Sequence, residues 1–211
     1  MERGIEMIYL YTGTPGSGKS LHVARVIYYR LFRSCPVIAN IPINLEYVKH
    51  PEFFTYLPNR DLSVKYLIKR SNEYFENRRM KEGSLVLIID EAQMMFNARD
   101  WSKKGRDDWN EFFQVHRHYG YDIILIAQFD RMIDRQIRSL VEYEVVHRKV
   151  SNFGWKGRLL SVLMLAPTLF VSVKRWYPMK EKTDSEFFRY SRKLGRLYDT
   201  YMTFDETEEK G

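Results

Sequence analysis

Apolar residues along the chain fall into short blocks that alternate between two periods. Ile5–Tyr11 (IEMIYLY), Leu85–Ile89 (LVLII) and Tyr121–Ala127 (YDIILIA) are runs rich in branched and aromatic side chains, as in strands covered on both faces. Pro36–Ile43 (PVIANIPI) is a further run of this kind, in which Pro42 predicts a sheet edge or a strand end. Val141–Val150 also reads as a strand. Between these blocks, Lys19–Phe32 places Val23, Ile27 and Leu31 on one face at helical spacing. Asp61–Arg79 is a second helical stretch, with Asp61 as its N-cap and Gly83 beyond its end. Asp107–His118 predicts a helix closed by Gly120, and Arg131–Leu140 a short one. Residues 44–60, which contain Pro51 and Pro58, and the polar stretch Arg99–Gly105 read as irregular.

Strands alternating with helices over residues 1–140 predict an α/β fold with a mostly parallel sheet. From Val141 the pattern changes to strand-like pieces, a strand-rich extension over 141–203, and then an acidic tail, 204–211, expected to fray. The longest apolar stretch, Leu159–Val173, is interrupted by Ser161, Pro167, Thr168 and Ser172. It is shorter than the roughly 20 residues a membrane helix needs. Two buried strands joined near Ala166–Thr168 account for it, a short re-entrant segment being the alternative. The charged start, Met1–Glu6, carries no secretory signal.

Three of the predicted strands end in groups with chemical potential. After the first comes Gly13-Thr14-Pro15-Gly16-Ser17-Gly18-Lys19-Ser20, which fits G-x-x-x-x-G-K-[ST] without a gap and opens onto a predicted helix. Glycines let successive N–H groups turn inward onto phosphate oxygens, and the helix N-terminus favours an anion. Lys19 supplies a point charge for the β- and γ-phosphates, and Ser20 a hydroxyl for Mg²⁺. The LVLII run ends in Asp90-Glu91, at the edge where open α/β sheets bind ligands. Asp90 is expected to hold Mg²⁺ alongside Ser20, and Glu91 to polarise the attacking water. The strand Tyr121–Ala127 ends at Gln128. In P-loop enzymes of the additional-strand type such a strand lies between the phosphate-loop strand and the Asp-Glu strand, which would aim Gln128 at the γ-phosphate as a sensor. The expected cofactors are ATP and Mg²⁺, and the pairing of Glu91 with Gln128 argues for hydrolysis.

Composition changes this picture little. The 211 residues suit one main domain with a sizeable core, and 45% hydrophobic with 29% charged residues describe a globular chain. A net charge of +7 permits a polyanionic partner, nucleic acid or an anionic lipid surface. The lone cysteine, Cys35, excludes an internal disulfide, fits a reducing compartment and reads as a small buried hydrophobe.

Taken together, GTPGSGKS, LIIDEAQ at 87–93, RHYGYDIILIAQ at 117–128 and the closing run Arg196–Tyr201 resemble the Zot-like domain. This is the N-terminal domain of zonula occludens toxin and of the gene I morphogenesis proteins of filamentous phages. The resemblance spans nearly the whole chain, residues 1–203. It implies a cytoplasmic ATPase related to ring-forming DNA pumps of the FtsK/HerA type, powering virion assembly and extrusion at the inner membrane. Carried over by residue, it assigns nucleotide binding to Gly13, Gly16, Gly18, Lys19 and Ser20, metal and water roles to Asp90 and Glu91, and the sensor role to Gln128. It also implies a homo-oligomer, with a hexameric ring suspected, acting on phage single-stranded DNA with coat or assembly proteins. Family members continue into a membrane-spanning helix and a periplasmic part without counterpart in these 211 residues, so membrane association is implied by the resemblance alone.

A ring also needs an arginine offered across the subunit boundary; Arg117, Arg131, Arg135 and Arg138 are candidates by position. His116 and His118 lack neighbours at zinc-ligand spacing. Arg78–Lys81 and Trp101–Arg106 are candidate contacts for single-stranded DNA. A nucleotide-dependent switch that recruits a membrane partner with little turnover is the second reading. A toxin acting on cell junctions is the weakest, because in the family that activity belongs to a released C-terminal piece.

Overall fold

The computed structural model describes residues 7–98, 105–155 and 168–198. Its strands are β1 (Ile8–Thr12), β2 (Val37–Ala39), β3 (Phe54–Tyr56), β4 (Leu85–Ile89), β5 (Tyr121–Ile126), β6 (Tyr143–Lys149), β7 (Leu169–Trp176) and β8 (Glu181–Arg189). Its helices are α1 (Lys19–Phe32), α2 (Val64–Phe75), α3 (Arg106–Val115), α4 (Arg135–Ser139) and α5 (Arg192–Leu197). The strands form one eight-stranded sheet in the order β3-β2-β4-β5-β1-β6-β7-β8. Pairing is parallel from β3 to β6 and antiparallel from β6 through β7 to β8. β5 lies between β1 and β4, the additional-strand arrangement expected from the sequence.

The central strands are buried and largely apolar because helices cover both faces. In β4, Leu85, Leu87 and Ile89 face a core with Leu67 of α2, Phe112 and Phe113 of α3 and Ile137 of α4. The alternate residues Val86 and Ile88 face a second core with Val23, Ala24, Ile27 and Leu31 of α1 and Leu197 of α5. Successive strand side chains point to opposite faces, so a doubly covered strand loses its polar alternation. Complete burial of each such aliphatic side chain contributes about 1.5–3 kcal/mol, which anchors the β4–β5–β1 edge where the motifs sit.

Several expected boundaries shift. β2 is not an edge strand: it pairs with β4 and with β3, and it ends at Ala39, before Pro42. The edge is β3, a three-residue strand inside the stretch read as irregular, flanked by Pro51 and Pro58. The N-cap of α2 is Ser63, whose hydroxyl accepts from the Tyr66 N–H at 3.3 Å, rather than Asp61. Asp61 spends its own N–H in a turn to the Pro58 carbonyl at 2.9 Å. The helix stops at Phe75, because the following polar residues have nothing to bury. α4 starts at Arg135 on an Asp134 cap, after a separate 3-10 turn over Asp130–Met132. Cys35 is half-buried, its thiol 3.0 Å from the Ser84 carbonyl oxygen. Most of Leu159–Val173, most of Arg99–Gly105 and the tail lie outside the described residues.

Candidate functional site

Parallel pairing brings the C-terminal ends of β1, β4 and β5 to one edge of the sheet, and the candidate residues follow from those ends. The loop after β1 turns through Gly13 (φ +142°), Gly16 (φ +72°) and Gly18 (φ +96°) into α1. Two of these glycines are also required for space. A β-carbon on Gly13 would sit 2.6 Å from both the His147 carbonyl oxygen and Ser17 Oγ, and one on Gly18 would sit 2.7 Å from the Phe170 ring. The loop is pinned by the Gly13 N–H donating to the Gln128 carbonyl at 3.2 Å and the Ser17 N–H donating to the Thr14 carbonyl at 3.1 Å.

No side chain caps the N-terminus of α1, whose Ncap is Gly18. The first-turn N–H groups are therefore available to an external acceptor. Ser17 Oγ is buried beneath the loop with no hydrogen-bond partner. Lys19 Nζ donates to the carbonyls of Gly13 at 2.5 Å and Thr14 at 3.2 Å. Burial lowers the affinity of this ammonium for its proton, against the opposing pull of Asp90 and Glu91.

Asp90 is held by a residue that sequence reasoning missed. Asn40, just past β2, accepts the Asp90 N–H at 2.7 Å and donates to the Asp90 carbonyl at 2.9 Å. Its amide also donates to Asn59 Oδ1 at 2.7 Å. Glu91 follows at φ +45°, ψ +46°, a left-handed conformation uncommon outside glycine and asparagine. Its carboxylate is exposed, while its N–H donates to Asp90 Oδ1 at 2.8 Å. Two residues on, Gln93 is buried with its Oε1 unpaired.

The cleft so formed has a volume of about 480 Å³ and is lined by Pro15–Leu21, Asp90, Glu91, Gln93, Gln128, Phe170 and Tyr198, among others. That is within the usual size of a small-molecule site, roughly 300–1,000 Å³. The structure thus gathers Lys19, Ser20, Asp90, Glu91 and Gln128 on one cleft. It adds Phe170 from β7 and Tyr198 after α5. The Tyr198 hydroxyl donates to Asp90 Oδ2 at 3.0 Å. The only sequence signal for Tyr198 was its place in the closing Arg196–Tyr201 run. One cationic side chain and the uncapped helix end could hold a polyphosphate. Oxygens of Ser20, Asp90 and Glu91 could hold a hard divalent cation.

Beneath the phosphate loop lies a buried relay that no sequence motif announced. His147 Nδ1 is 3.2 Å from the Thr12 carbonyl oxygen, and His147 Nε2 is 2.8 Å from His22 Nδ1. His22 Nε2 is 3.2 Å from Arg25 Nη2, and Arg25 also pairs with Glu186 of β8 at 2.5 Å. Because a carbonyl only accepts and a guanidinium only donates, both imidazoles are fixed as neutral Nδ1–H tautomers. Burial, with neighbouring positive charge, depresses both, His147 to about 4 and His22 well below its ordinary value.

Other candidates separate. Arg106 is buried against Asp134 Oδ2 at 3.2 Å and the Asn97 carbonyl at 3.0 Å, which removes it from any nucleic-acid surface; Trp101–Lys104 lie outside the described residues. Arg117 pairs with Glu142 at 2.7 Å, whereas Arg131 and Arg135 are exposed. His116 is buried, its ring 2.7 Å from the Phe113 carbonyl oxygen. No helix among the described residues is long and apolar enough to cross a membrane.

Comparison with known proteins agrees with this geometry. The gene 1 protein of Enterobacteria phage M13 is 29% identical over 97% of this chain and 62% of its own length. That of Salmonella phage IKe is 31% identical over 96% of this chain and 58% of its own. The chain thus spans about three-fifths of these relatives. Among solved structures, the N-terminal domain of zonular occludens toxin from Neisseria meningitidis superposes with a TM-score of 0.56 at 21% identity, covering 92% of this chain and 98% of that one. The genome packaging NTPase B204 of Sulfolobus turreted icosahedral virus 2, in complex with ATP-γ-S, superposes with a TM-score of 0.53 at 15% identity, covering 88% and 98%. The fold is therefore that of a P-loop NTPase. The family model for zonular occludens toxin matches residues 7–195, and the chain belongs to the Zot family.

Proposed function

We propose that this chain is a Mg²⁺-dependent ATPase that drives phage assembly and export at the inner membrane of a bacterial host, working as a ring. The observation that carries the hydrolytic part is the convergence of Lys19, Ser20, Asp90, Glu91 and Gln128 on one cleft. Its relatives are gene 1 proteins of phages, and a genome packaging NTPase shares its fold, which supports the setting. Residues 7–198 act as one unit in this reading, since β6 and β7 build one wall of the phosphate loop.

The fit of a nucleotide rests on the uncapped α1 N-terminus, the orphaned Ser17 hydroxyl and the glycine positions that a β-carbon would fill. In this assignment Gly13–Ser20 binds the phosphates through backbone N–H groups. Lys19, drawn off the Gly13 and Thr14 carbonyls, neutralises the β- and γ-phosphates. Ser20 and Asp90 hold Mg²⁺, which supplies charge neutralisation for the phosphoryl group. Glu91 orients the attacking water and takes its proton, and Gln128 reads the γ-phosphate.

The test is ATP hydrolysis against protein concentration, with and without single-stranded DNA, for the wild type and Glu91→Gln. Loss of a general base lowers turnover by about 10²–10⁴-fold. Nucleotide binding is expected to survive in that variant. A steep rise of specific activity with concentration supports a ring whose site is completed by a neighbour. Activity linear in concentration and untouched by Glu91→Gln would sink both assignments. Binding without turnover under every condition would favour a nucleotide-dependent switch that recruits a membrane partner.

A further inference from the structure

We infer that Tyr198 is a positioning residue for the divalent cation: its hydroxyl, carried to the cleft after α5, orients the Asp90 carboxylate toward the metal position. The inference rests on the assignment of Asp90, with Ser20, to the cation in the proposed function.

The phenol has one proton to give, and it gives it to Asp90 Oδ2 at 3.0 Å. The other carboxylate oxygen of Asp90 accepts the Glu91 N–H at 2.8 Å. With a donor on each oxygen, the plane of the carboxylate is set, and each oxygen retains a second lone pair. Ser20 lines the same cleft as Asp90 and Tyr198. A phenol holds its proton at neutral pH, so the hydroxyl is a donor to the carboxylate.

The phenol is also held from behind. Leu197 is fully buried in the core under α1, and its carbonyl accepts the Asn44 N–H at 3.0 Å. Lys193 Nζ donates to the Tyr28 hydroxyl at 2.8 Å, tying α5 to α1. A hydroxyl on a mobile strap would plug the site and compete with the cation for Asp90. One fixed by the core prepares the ligands in advance, as outer-shell partners do in metal sites generally. The two roles predict opposite signs for the loss of the hydroxyl.

Tyr198→Phe removes the oxygen and keeps the ring. The probe is Mn²⁺, followed by electron paramagnetic resonance in the presence of saturating ADP. Nucleotide affinity is measured separately in EDTA with a fluorescent methylanthraniloyl-ADP, and folding is checked by urea unfolding. The expected result is Mn²⁺ affinity about tenfold weaker, with nucleotide affinity in EDTA and the unfolding transition unchanged. Mn²⁺ affinity unchanged or tighter in the variant overturns the inference, the tighter result marking the hydroxyl as a competitor of the cation. Should the wild type bind ADP but show no Mn²⁺ site, the assignment of Ser20 and Asp90 falls first and takes the inference with it. A wild-type site matched by an equal one in Tyr198→Phe removes the inference alone.

Discussion

Three glycines of the phosphate loop share a positive φ but differ in what surrounds them, so alanine at each separates backbone strain from crowding. At Gly16, φ is +72° and no atom lies within 4 Å of a built β-carbon. Gly16→Ala therefore costs only the left-handed backbone, about 1–2 kcal/mol. At Gly13, φ is +142° and the β-carbon would meet the His147 carbonyl oxygen at 2.6 Å. That oxygen belongs to β6, which is hydrogen-bonded between β1 and β7 and cannot yield. Strain of roughly 1–3 kcal/mol and overpacking of roughly 1–3 kcal/mol then add, for about 2–6 kcal/mol. Gly18→Ala falls between, because its obstacle, the Phe170 ring at 2.7 Å, is a side chain that can turn. A domain of this kind has about 5–15 kcal/mol in all, so Gly13→Ala consumes a large fraction of it. Urea unfolding of the three variants gives the comparison directly, provided the slope against denaturant is constant. The reasoning fails if Gly13→Ala and Gly16→Ala unfold within about 0.5 kcal/mol of each other, since the loop would then not be seated against β6.

The buried imidazoles set a pH dependence. In the native state burial depresses both relay imidazoles, His147 to about 4 and His22 well below its ordinary value, while in the unfolded chain they take up protons near 6.5. The unfolded state thus binds more protons in this window, and stability present above pH 6.5 is lost as the pH falls toward 4. Asp122, pushed up to about 6 by burial in spite of Arg30, works in the opposite direction. His116, also buried, is shifted in the same sense as the two relay imidazoles, so the balance is a net loss of stability as the pH falls below 6.5; denaturant titrations at several pH values read it, and a flat profile contradicts the relay. Asn40→Ala strands the Asp90 N–H and carbonyl, with an expected loss of about 1–3 kcal/mol in urea unfolding. Nucleotide affinity should weaken with it, and an unchanged affinity would mean that Asp90 holds its place without Asn40.

What the sequence disclosed follows from how local each signal is. α1 runs over the predicted Lys19–Phe32, and β4 over Leu85–Ile89, because periodicity, glycines and complete apolar runs sit within a few residues. β3 gives no such signal: three residues between two prolines become a strand only because β2 offers its free edge. Ser63 outcompetes Asp61 as cap because the chain has already turned at Pro58. Arg106 read as part of a basic surface run, yet Asp134, 28 residues on, draws it inside. Composition cannot distinguish a solvated arginine from one whose partner arrives from another element.

The same reasoning explains why half of the cleft was invisible. Gly13–Ser20, Asp90, Glu91 and Gln128 are recognisable because each sits beside its own strand end. The groups that hold them act from far along the chain: Asn40 reaches Asp90 across 50 residues, and Tyr198 across 108. Phe170 closes on Gly18 from β7, and the carbonyl of His147 closes on Gly13 from β6. Three of these four supports come from beyond residue 140, where the alternation of strands and helices gives way to the strand-rich extension. The extension continues the same sheet past β1, so its packing and the shape of the phosphate loop are one problem. A phosphate loop whose glycines are crowded by neighbouring strands has few alternative conformations. That restraint lowers the ordering cost of binding and would make the C-terminal strands part of the proposed nucleotide site.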